Sequence, residues 1–409
     1  MTSPRVTAVA VTPPIYKASG GVAAAIHLTR AIARIGNATM VLMSDRDEAV
    51  IEDGLRIIRC KANNVWGPLR PILPRPIATL GWRMDLTPVL KEEAPNLVHI
   101  HNPHPPGAFL GVARACRSSG LPYVLSTHGF VEFHDYGRGF GPAWQRPVID
   151  VIVRKPIEDA IRGAAAICTL SPLEAPVLLD MGARDEQLHL VTNGVDPYFL
   201  EVLSLAERRA LTARFRLPDD RPIALFVGNH TSNKGIDVLL DAMHRVNPPV
   251  TTVIAGAIRS SGEHKALRQR HRVDALGDRV IFTDFTSLKE LRALYQSATL
   301  FVFPTRADTL PLVILEAMAS RLPVVSTTVG GIPYQVSPET GVLVLPGEPG
   351  ALATALNGLV ADSARSAAMG LAGRRVVERR FRWEGSAGAA MRVYDHVLSG
   401  SHRHVRPQL

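Results

Sequence analysis

Cysteine is scarce in this chain: Cys60, Cys116 and Cys168 are the only three among 409 residues. An odd number without metal or redox spacing supplies no disulfide framework and no zinc cage, and it suits a reducing, cytoplasmic compartment. Long apolar runs are missing as well. No window reaches the ~20 uninterrupted apolar residues that a membrane-spanning helix requires. Residues 1–14, interrupted by Pro4, Pro13 and Pro14, read as a first buried strand and a loop rather than a signal peptide. A concentrated basic patch is also lacking. The 46 basic and 37 acidic side chains leave a net charge of +9, but they are spread over both halves of the chain, which argues against nucleic acid as a partner. The one local asymmetry is an absence of acid: residues 54–84 hold Arg56, Arg59, Lys61, Arg70, Arg75 and Arg83 with Trp66 and Trp82, and no Asp or Glu. Such a composition suits an anionic membrane surface. It equally suits a solvated, proline-rich loop and helix face.

What is present is a steady alternation of short β-branched runs and longer helical patterns, the mark of parallel sheets covered by helices on both faces. Strands are expected at Val6–Val11, Thr39–Met43, Leu97–His101, Tyr123–Ser126, Ala166–Leu170 and Leu188–Val191. The rhythm restarts at Ile223–Val227, followed by Thr251–Ala255, Val280–Phe282, Leu300–Phe303, Val324–Ser326 and Val342–Leu345. The length fits two domains of about 200 residues each. The expected division is 1–197 with 383–409 for the first domain, and 198–382 for the second. Residues 399–409 read as a frayed polar tail.

In doubly wound sheets, ligands bind beyond the carboxyl ends of the strands, and the chemistry-bearing motifs fall at such ends. After the run ending at Pro304 come Arg306, Asp308, Pro311 and then Leu312-Val-Ile-Leu-Glu316. Pro311 sits where a helix begins, because proline lacks the N–H that would be unpaired there. The free amides of Leu312 and Val313 then form an anion site. Asp308 and Glu316, with seven residues between them, bracket that site and suit the hydroxyls of a sugar nucleotide whose diphosphate rests on the amides. The stretch Gly228-Asn229-His-Thr-Ser-Asn-Lys234-Gly235 pairs a glycine turn with a compact cation, a phosphate-competent combination. His128, after Ser126-Thr127, stands at a strand end. Gly20 and Gly21 open a helix after the first strand and on their own read equally as an ordinary flexible loop. His99 and His101 share one strand face, but no acid or Cys nearby completes a metal set.

In order and spacing these motifs resemble the retaining glycosyltransferases of the GT-B fold, in particular glycosyltransferase family 4. The resemblance includes Asn193-Gly-Val-Asp196 and spans the chain from Val6 to the helix after Trp383. It implies two Rossmann-like domains facing across a cleft, an N-terminal acceptor-side domain, a C-terminal donor domain, and a terminal helix crossing back to the first. It implies a hexosyltransferase acting on a nucleotide-diphosphate sugar and a glycan or lipid-linked acceptor, in polysaccharide or glycolipid biosynthesis. Lys234, Asp308 and His128 take the catalytic roles. Gly20, Gly21, Asn229, Arg306, Leu312, Val313 and Glu316 join Lys234 in holding the donor. No metal or other cofactor is expected, and Asp45 with Asp47, which resembles the metal clamp of the other major glycosyltransferase fold, reads as a solvated turn.

Two departures stand out. The family's first acid is usually Glu, here Asp308, and the family's Arg after the first glycine is here Asn229. Arg306 or Arg259 is the expected substitute for that Arg. A sugar-nucleotide epimerase and an inactive sugar-nucleotide-binding homologue remain as rival readings at this point.

Overall fold

The computed structural model describes residues 3–14, 20–69, 72–73, 75–128, 150–247, 249–258 and 261–400. Residues 18 and 19 of the first glycine motif, Arg70, Arg259 and residues 401–409 of the expected tail therefore lie outside the described residues. The chain divides into two compact units, Met1–Gly194 with Trp383–Leu409, and Val195–Arg382. The boundary lies at Val195 rather than at 198, and the reason is local pairing. Val195 N donates to Phe381 O at 2.9 Å, and Val195 bridges to Arg382 in parallel. The chain thus enters and leaves the second unit side by side.

The first unit holds β1 (Arg5–Ala10), β2 (Asn37–Ser44), β3 (Glu48–Glu52), β4 (Leu55–Asn64), β5 (Trp82–Met84), β6 (Leu97–His101), β7 (Tyr123–Ser126), β8 (Ala166–Thr169) and β9 (Leu188–Leu190). Their order is β3-β4-β2-β1-β6-β7-β8-β9, with β5 beside β4. All neighbours are parallel except β3 and β5, which run antiparallel to β4. From β1 the sheet grows in both directions, so its topological switch point lies between β1 and β6, in register Val6↔Leu97 to Ala10↔His101. The strands beside that point are buried throughout except at Arg5, as expected for a parallel sheet covered on both faces.

Strands β3, β4 and β5 correct the reading of 54–84 as a loop and helix face. Leu55, Ile57, Ile58 and Cys60 are core residues, and their β4 backbone pairs with β2 on one side and β3 on the other. The acid-free run obtains its counter-charges from elsewhere. Arg56 pairs with Glu92 and Glu93 at 2.7 and 3.0 Å, and Arg59 with Glu52 at 2.6 Å and Glu48 at 3.5 Å. Trp82 is buried, and Trp66 Nε1 donates to Ile77 O at 2.9 Å. Asp45 and Asp47 are exposed in the turn between β2 and β3, where Asp47 accepts from Lys61 N.

The second unit holds β10 (Ile223–Val227), β11 (Thr251–Ala255), β12 (Val280–Asp284), β13 (Leu300–Phe303), β14 (Val324–Thr327) and β15 (Gly341–Val344). Their order is β12-β11-β10-β13-β14-β15, all parallel. Here the switch point lies between β10 and β13. Two helices carry signals that periodicity alone passed over or underused. Ser204 with Glu207 and Ser287 with Glu290 form reciprocal capping boxes, satisfying orphan amides at the starts of helices Leu205–Thr212 and Leu288–Ser297.

Candidate active site

The loops that leave β10 and β13 are neighbours because the strands are, and polar contacts join them. Arg306 N donates to Asn233 O at 2.7 Å, and the buried Thr305 hydroxyl lies 2.9 Å from the same oxygen. Lys234 Nζ donates to both carboxylate oxygens of Asp308 at 2.8 and 2.9 Å, and Thr305 Oγ1 approaches Asp308 Oδ2 at 2.7 Å. Arg306 reaches across to Ser232 O at 2.8 Å. Two glycines permit the close fit. Gly235 has φ +71° and Gly330 φ +52°. A Cβ on either would overlap a carbonyl oxygen, that of Pro304 for Gly235 and that of Asp308 for Gly330. The Gly330 loop is further tied down by Gly331 N donating to Thr309 O at 2.7 Å.

Helix Leu312–Ala319 follows at once. Pro311, with φ −66° and ψ 128°, is extended and precedes the helix rather than lying inside it, so the amides of Leu312 and Val313 open its first turn. Those amides have no carbonyl four residues back within the helix, and with the dipole they present positive potential beside the Lys234–Asp308 pair. Glu316 is the only charged residue of that otherwise apolar helix. Burial pushes its carboxyl up to about 7; a hydrogen bond from Tyr295 pulls it back, and Asp196 opposes its ionisation. The Tyr295 hydroxyl stands 2.8 Å from Glu316 Oε2. Asp196 itself accepts from Tyr198 N at 2.9 Å.

Arg306, the expected substitute for the charge missing at Asn229, has an acid partner of its own. Its guanidinium is held by Asp237 at 2.7 and 2.6 Å, a two-pronged pair that ties the loop to the helix carrying Asp237. The neighbour of Asn229 is His230, whose ring nitrogens have no hydrogen-bond partner among the described residues and whose pKa burial lowers to about 4. It is therefore a neutral group at neutral pH.

In the first unit the expected residues also follow strand ends. Gly20 and Gly21 are the first residues of helix Gly20–Ala33, which follows β1. His128 lies two residues past β7, buried, with its pKa lowered to about 4 by desolvation. Its ring is 5.8 Å from that of His101, which lies 4.2 Å from that of His99. His99 is a structural group: Nδ1 is 2.7 Å from the Tyr394 hydroxyl and Nε2 is 2.8 Å from Ser126 Oγ. No group of three metal-capable side chains occurs among the described residues. One buried carboxyl escaped the sequence reading. Glu174 is 1% exposed, accepts from Leu170 N at 3.0 Å and from the hydroxyl of Thr127, the residue before His128, and burial raises its pKa to about 7. In the sequence it is one more acid at a helix start.

The second unit thus collects Asn229, Lys234, Arg306, Asp308, Leu312, Val313 and Glu316 on the loops and helix that follow β10 and β13, while in the first Gly20 and Gly21 follow β1 and His128 follows β7. Thr305, Tyr295 and Gly330 were missed; each acts through tertiary contact with a residue that the sequence did flag.

Residues 18–199 match the family described as Glycosyltransferase Family 4, and residues 221–362 match Glycosyl transferases group 1. The chain is 30% identical over 327 residues to the alpha-maltose-1-phosphate synthase of Mycolicibacterium smegmatis, covering 76% of this chain and 82% of that one. It is 34% identical over 245 residues to a D-inositol 3-phosphate glycosyltransferase of Xylanimonas cellulosilytica, 58% of each. Among solved structures it resembles the sucrose-phosphate synthase of Thermosynechococcus elongatus, with TM-score 0.74, 22% identity, and coverage of 97% of this chain and 100% of that one. It also resembles Anabaena HepE in complex with UDP-glucose, with TM-score 0.72, 18% identity, and coverage of 96% and 99%. Two mainly parallel, doubly wound sheets, and relatives at this identity, lead to one assignment: the chain belongs to the group 1, family 4 glycosyltransferases of the GT-B fold, and it is a transferase enzyme.

Proposed function

We propose that this glycosyltransferase moves a hexose from a nucleotide-diphosphate sugar to a hydroxyl group, with retention of anomeric configuration. The observation that carries this reading is the Lys234–Asp308 pair set beside the first-turn amides of helix Leu312–Ala319, with Glu316 one turn further on. Amides and ammonium receive the diphosphate, Asp308 a hydroxyl of the donor sugar, and Glu316 the hydroxyls of the nucleotide ribose. As the bond from the anomeric carbon to the phosphate oxygen breaks, charge grows on the leaving diphosphate, where preorganised donors act most strongly. The acceptor oxygen bonds to the anomeric carbon on the same face, and its proton passes to the departing phosphate oxygen. His128, neutral at working pH, positions the donor sugar by hydrogen bonding and does not serve as a general acid.

The donor is tested by melting-temperature shifts with UDP-, GDP- and ADP-sugars, since a ligand that binds only the native state stabilises it by mass action. UDP-glucose comes first, because a HepE structure holds it. The acceptor is tested with glycans, lipid-linked sugars and phosphorylated sugars or polyols, the last because the names of two relatives contain such groups. Turnover of the donor alone into an epimer would overturn the transferase chemistry proposed here. Activity is expected to persist in excess EDTA, because fixed positive groups meet the phosphates; loss that is restored by Mg²⁺ or Mn²⁺ would refute this.

For acceptors carried on lipid, contact with an anionic membrane through residues 54–84 is part of the proposal. Its support is the exposure of Val65, Leu69, Ile72 and Ile77 near exposed Lys61 and Arg83. The ion-paired Arg56 and Arg59 and the buried Trp82 add nothing to it. Replacing Leu69 and Ile72 with Glu is expected to abolish sedimentation with phosphatidylserine vesicles while sparing donor binding. Equal sedimentation of variant and parent would show that the stretch is an ordinary surface.

A further inference from the structure

The Tyr295–Glu316 contact joins a residue that sequence motifs mark to one that they do not. Tyr295 lies on helix Leu288–Ser297, begun by the Ser287–Glu290 capping box, and its side chain is wholly buried. A buried phenol needs a partner. This one has two acceptors in reach, Glu316 Oε2 at 2.8 Å and Val313 O at 3.3 Å. Both belong to the first turns of helix Leu312–Ala319, at the end where the donor is expected. Ring contacts keep the phenol in place: Phe199 packs edge-on with centroids 5.6 Å apart, and Phe301 lies at 5.8 Å. A rigid donor therefore points at one oxygen of a carboxylate and leaves the other oxygen to a ligand.

We propose that Tyr295 is a positioning residue for donor recognition, fixing the orientation of the Glu316 carboxylate so that its second oxygen meets the ribose hydroxyls. The inference rests on the assignment of Glu316 to the nucleotide proposed above. Besides Tyr295, the titratable group acting on Glu316 is Asp196, whose negative charge opposes ionisation. Arg374, on the packed helix Ser363–Arg380, instead donates to Ala319 O at 2.6 Å and Leu200 O at 2.9 Å. The tyrosine bond is thus the favourable interaction that offsets burial of the charge. Because the carboxyl sits at about 7, the ionised, hydroxyl-accepting form grows as pH rises through neutrality. Removing the bond moves that transition to higher pH.

The test compares the parent, Tyr295→Phe and Glu316→Gln in the full chain. Binding of UDP-glucose, GDP-mannose and ADP-glucose is measured by calorimetry from pH 6 to 9. These sugar nucleotides have no phosphate group titrating in that range, so the profile reports the protein. The parent's affinity is expected to rise through about pH 7. Tyr295→Phe is expected to bind about tenfold more weakly at pH 7, with its rise displaced to higher pH. Glu316→Gln is expected to bind weakly and without that rise. If Glu316→Gln binds like the parent, or none of the three nucleotides binds the parent, the assignment of Glu316 fails, and the inference fails with it. If Glu316→Gln loses affinity while Tyr295→Phe matches the parent at every pH, only the role of Tyr295 is overturned. Should Tyr295→Phe not fold, 3-fluorotyrosine at position 295 keeps the shape and strengthens the donor. Its rise is then expected at lower pH, and an unmoved profile overturns the proposal.

Discussion

At the scale of single residues, Lys234 does two things that pull in different directions. In the structure its ammonium neutralises Asp308, while the proposed chemistry asks it to face a diphosphate. Both are possible in the proposal because the pair is partly exposed. Lys234→Ala removes the charge aimed at the leaving group and also strips Asp308 of its partner. Turnover is expected to fall roughly a hundredfold or more, with a smaller effect on melting temperature because the pair is not deeply buried. Near-parent turnover in a steady-state assay would place phosphate stabilisation elsewhere. Arg306 is engaged by Asp237 as Lys234 is by Asp308. Whether a basic residue near a motif is available or already occupied depends on an acid 69 positions away, which no local pattern discloses.

At the scale of elements, the site is a junction of loops that glycine allows to touch. The loop after β14 lies against the backbone of Asp308 at Gly330, and Gly331 N holds it to Thr309 O. Gly330→Ala adds a methyl group where the Asp308 carbonyl stands and asks an L-residue to keep φ at +52°. Strain of this kind costs on the order of 1–3 kcal/mol. The expected outcome is a lower melting temperature together with weakened donor binding, because the added methyl group presses on the backbone of Asp308. Donor affinity unchanged beside a reduced melting temperature would mean that the acid's position does not depend on this contact. The same scale explains why β3, β4 and β5 were not anticipated. Ile57 and Ile58 are adjacent core residues flanked by Arg56 and Arg59, so period-2 alternation is broken. The basic residues resemble a solvated surface until Glu48, Glu52, Glu92 and Glu93 are brought alongside.

At the scale of the whole molecule, the last helix belongs to the first unit. Helix Trp383–Ser399 buries Trp383, Ala387, Ala390, Val393 and Tyr394. Trp383 stacks on His27 with centroids 5.6 Å apart, and the Tyr394 hydroxyl meets His99 Nδ1. His99 is fully buried, and burial holds its pKa down to about 3, so it stays neutral and must have both ring nitrogens satisfied as a neutral imidazole. Tyr394→Phe leaves one nitrogen unpaired. It is expected to destabilise the first unit by about 1–3 kcal/mol, read as a lower denaturant midpoint with an unchanged slope. No change in midpoint would show that water replaces the hydroxyl at no cost. Because the second unit contributes neither partner, donor binding is expected to be retained.

Much of this protein was legible before any fold was known, for reasons that are local. Parallel strands buried on both faces must be apolar runs, and helices between them must have a 3.6-residue period, so the two α/β units appear in the order of hydrophobic segments. Residues needed at strand ends and helix starts, such as Lys234, Asp308, Glu316 and His128, stand out because a charge or imidazole beside an apolar run has few structural uses. What tertiary structure decided is which of these groups have partners. Arg306 pairs with Asp237, Glu316 meets Tyr295, and His99 is tied to Tyr394 across 295 positions. Arg56 and Arg59 lose their apparent freedom to distant glutamates. Hydrogen bonds and ion pairs act over about 3 Å of space, and sequence separation carries no information about that distance once the chain has folded back on itself.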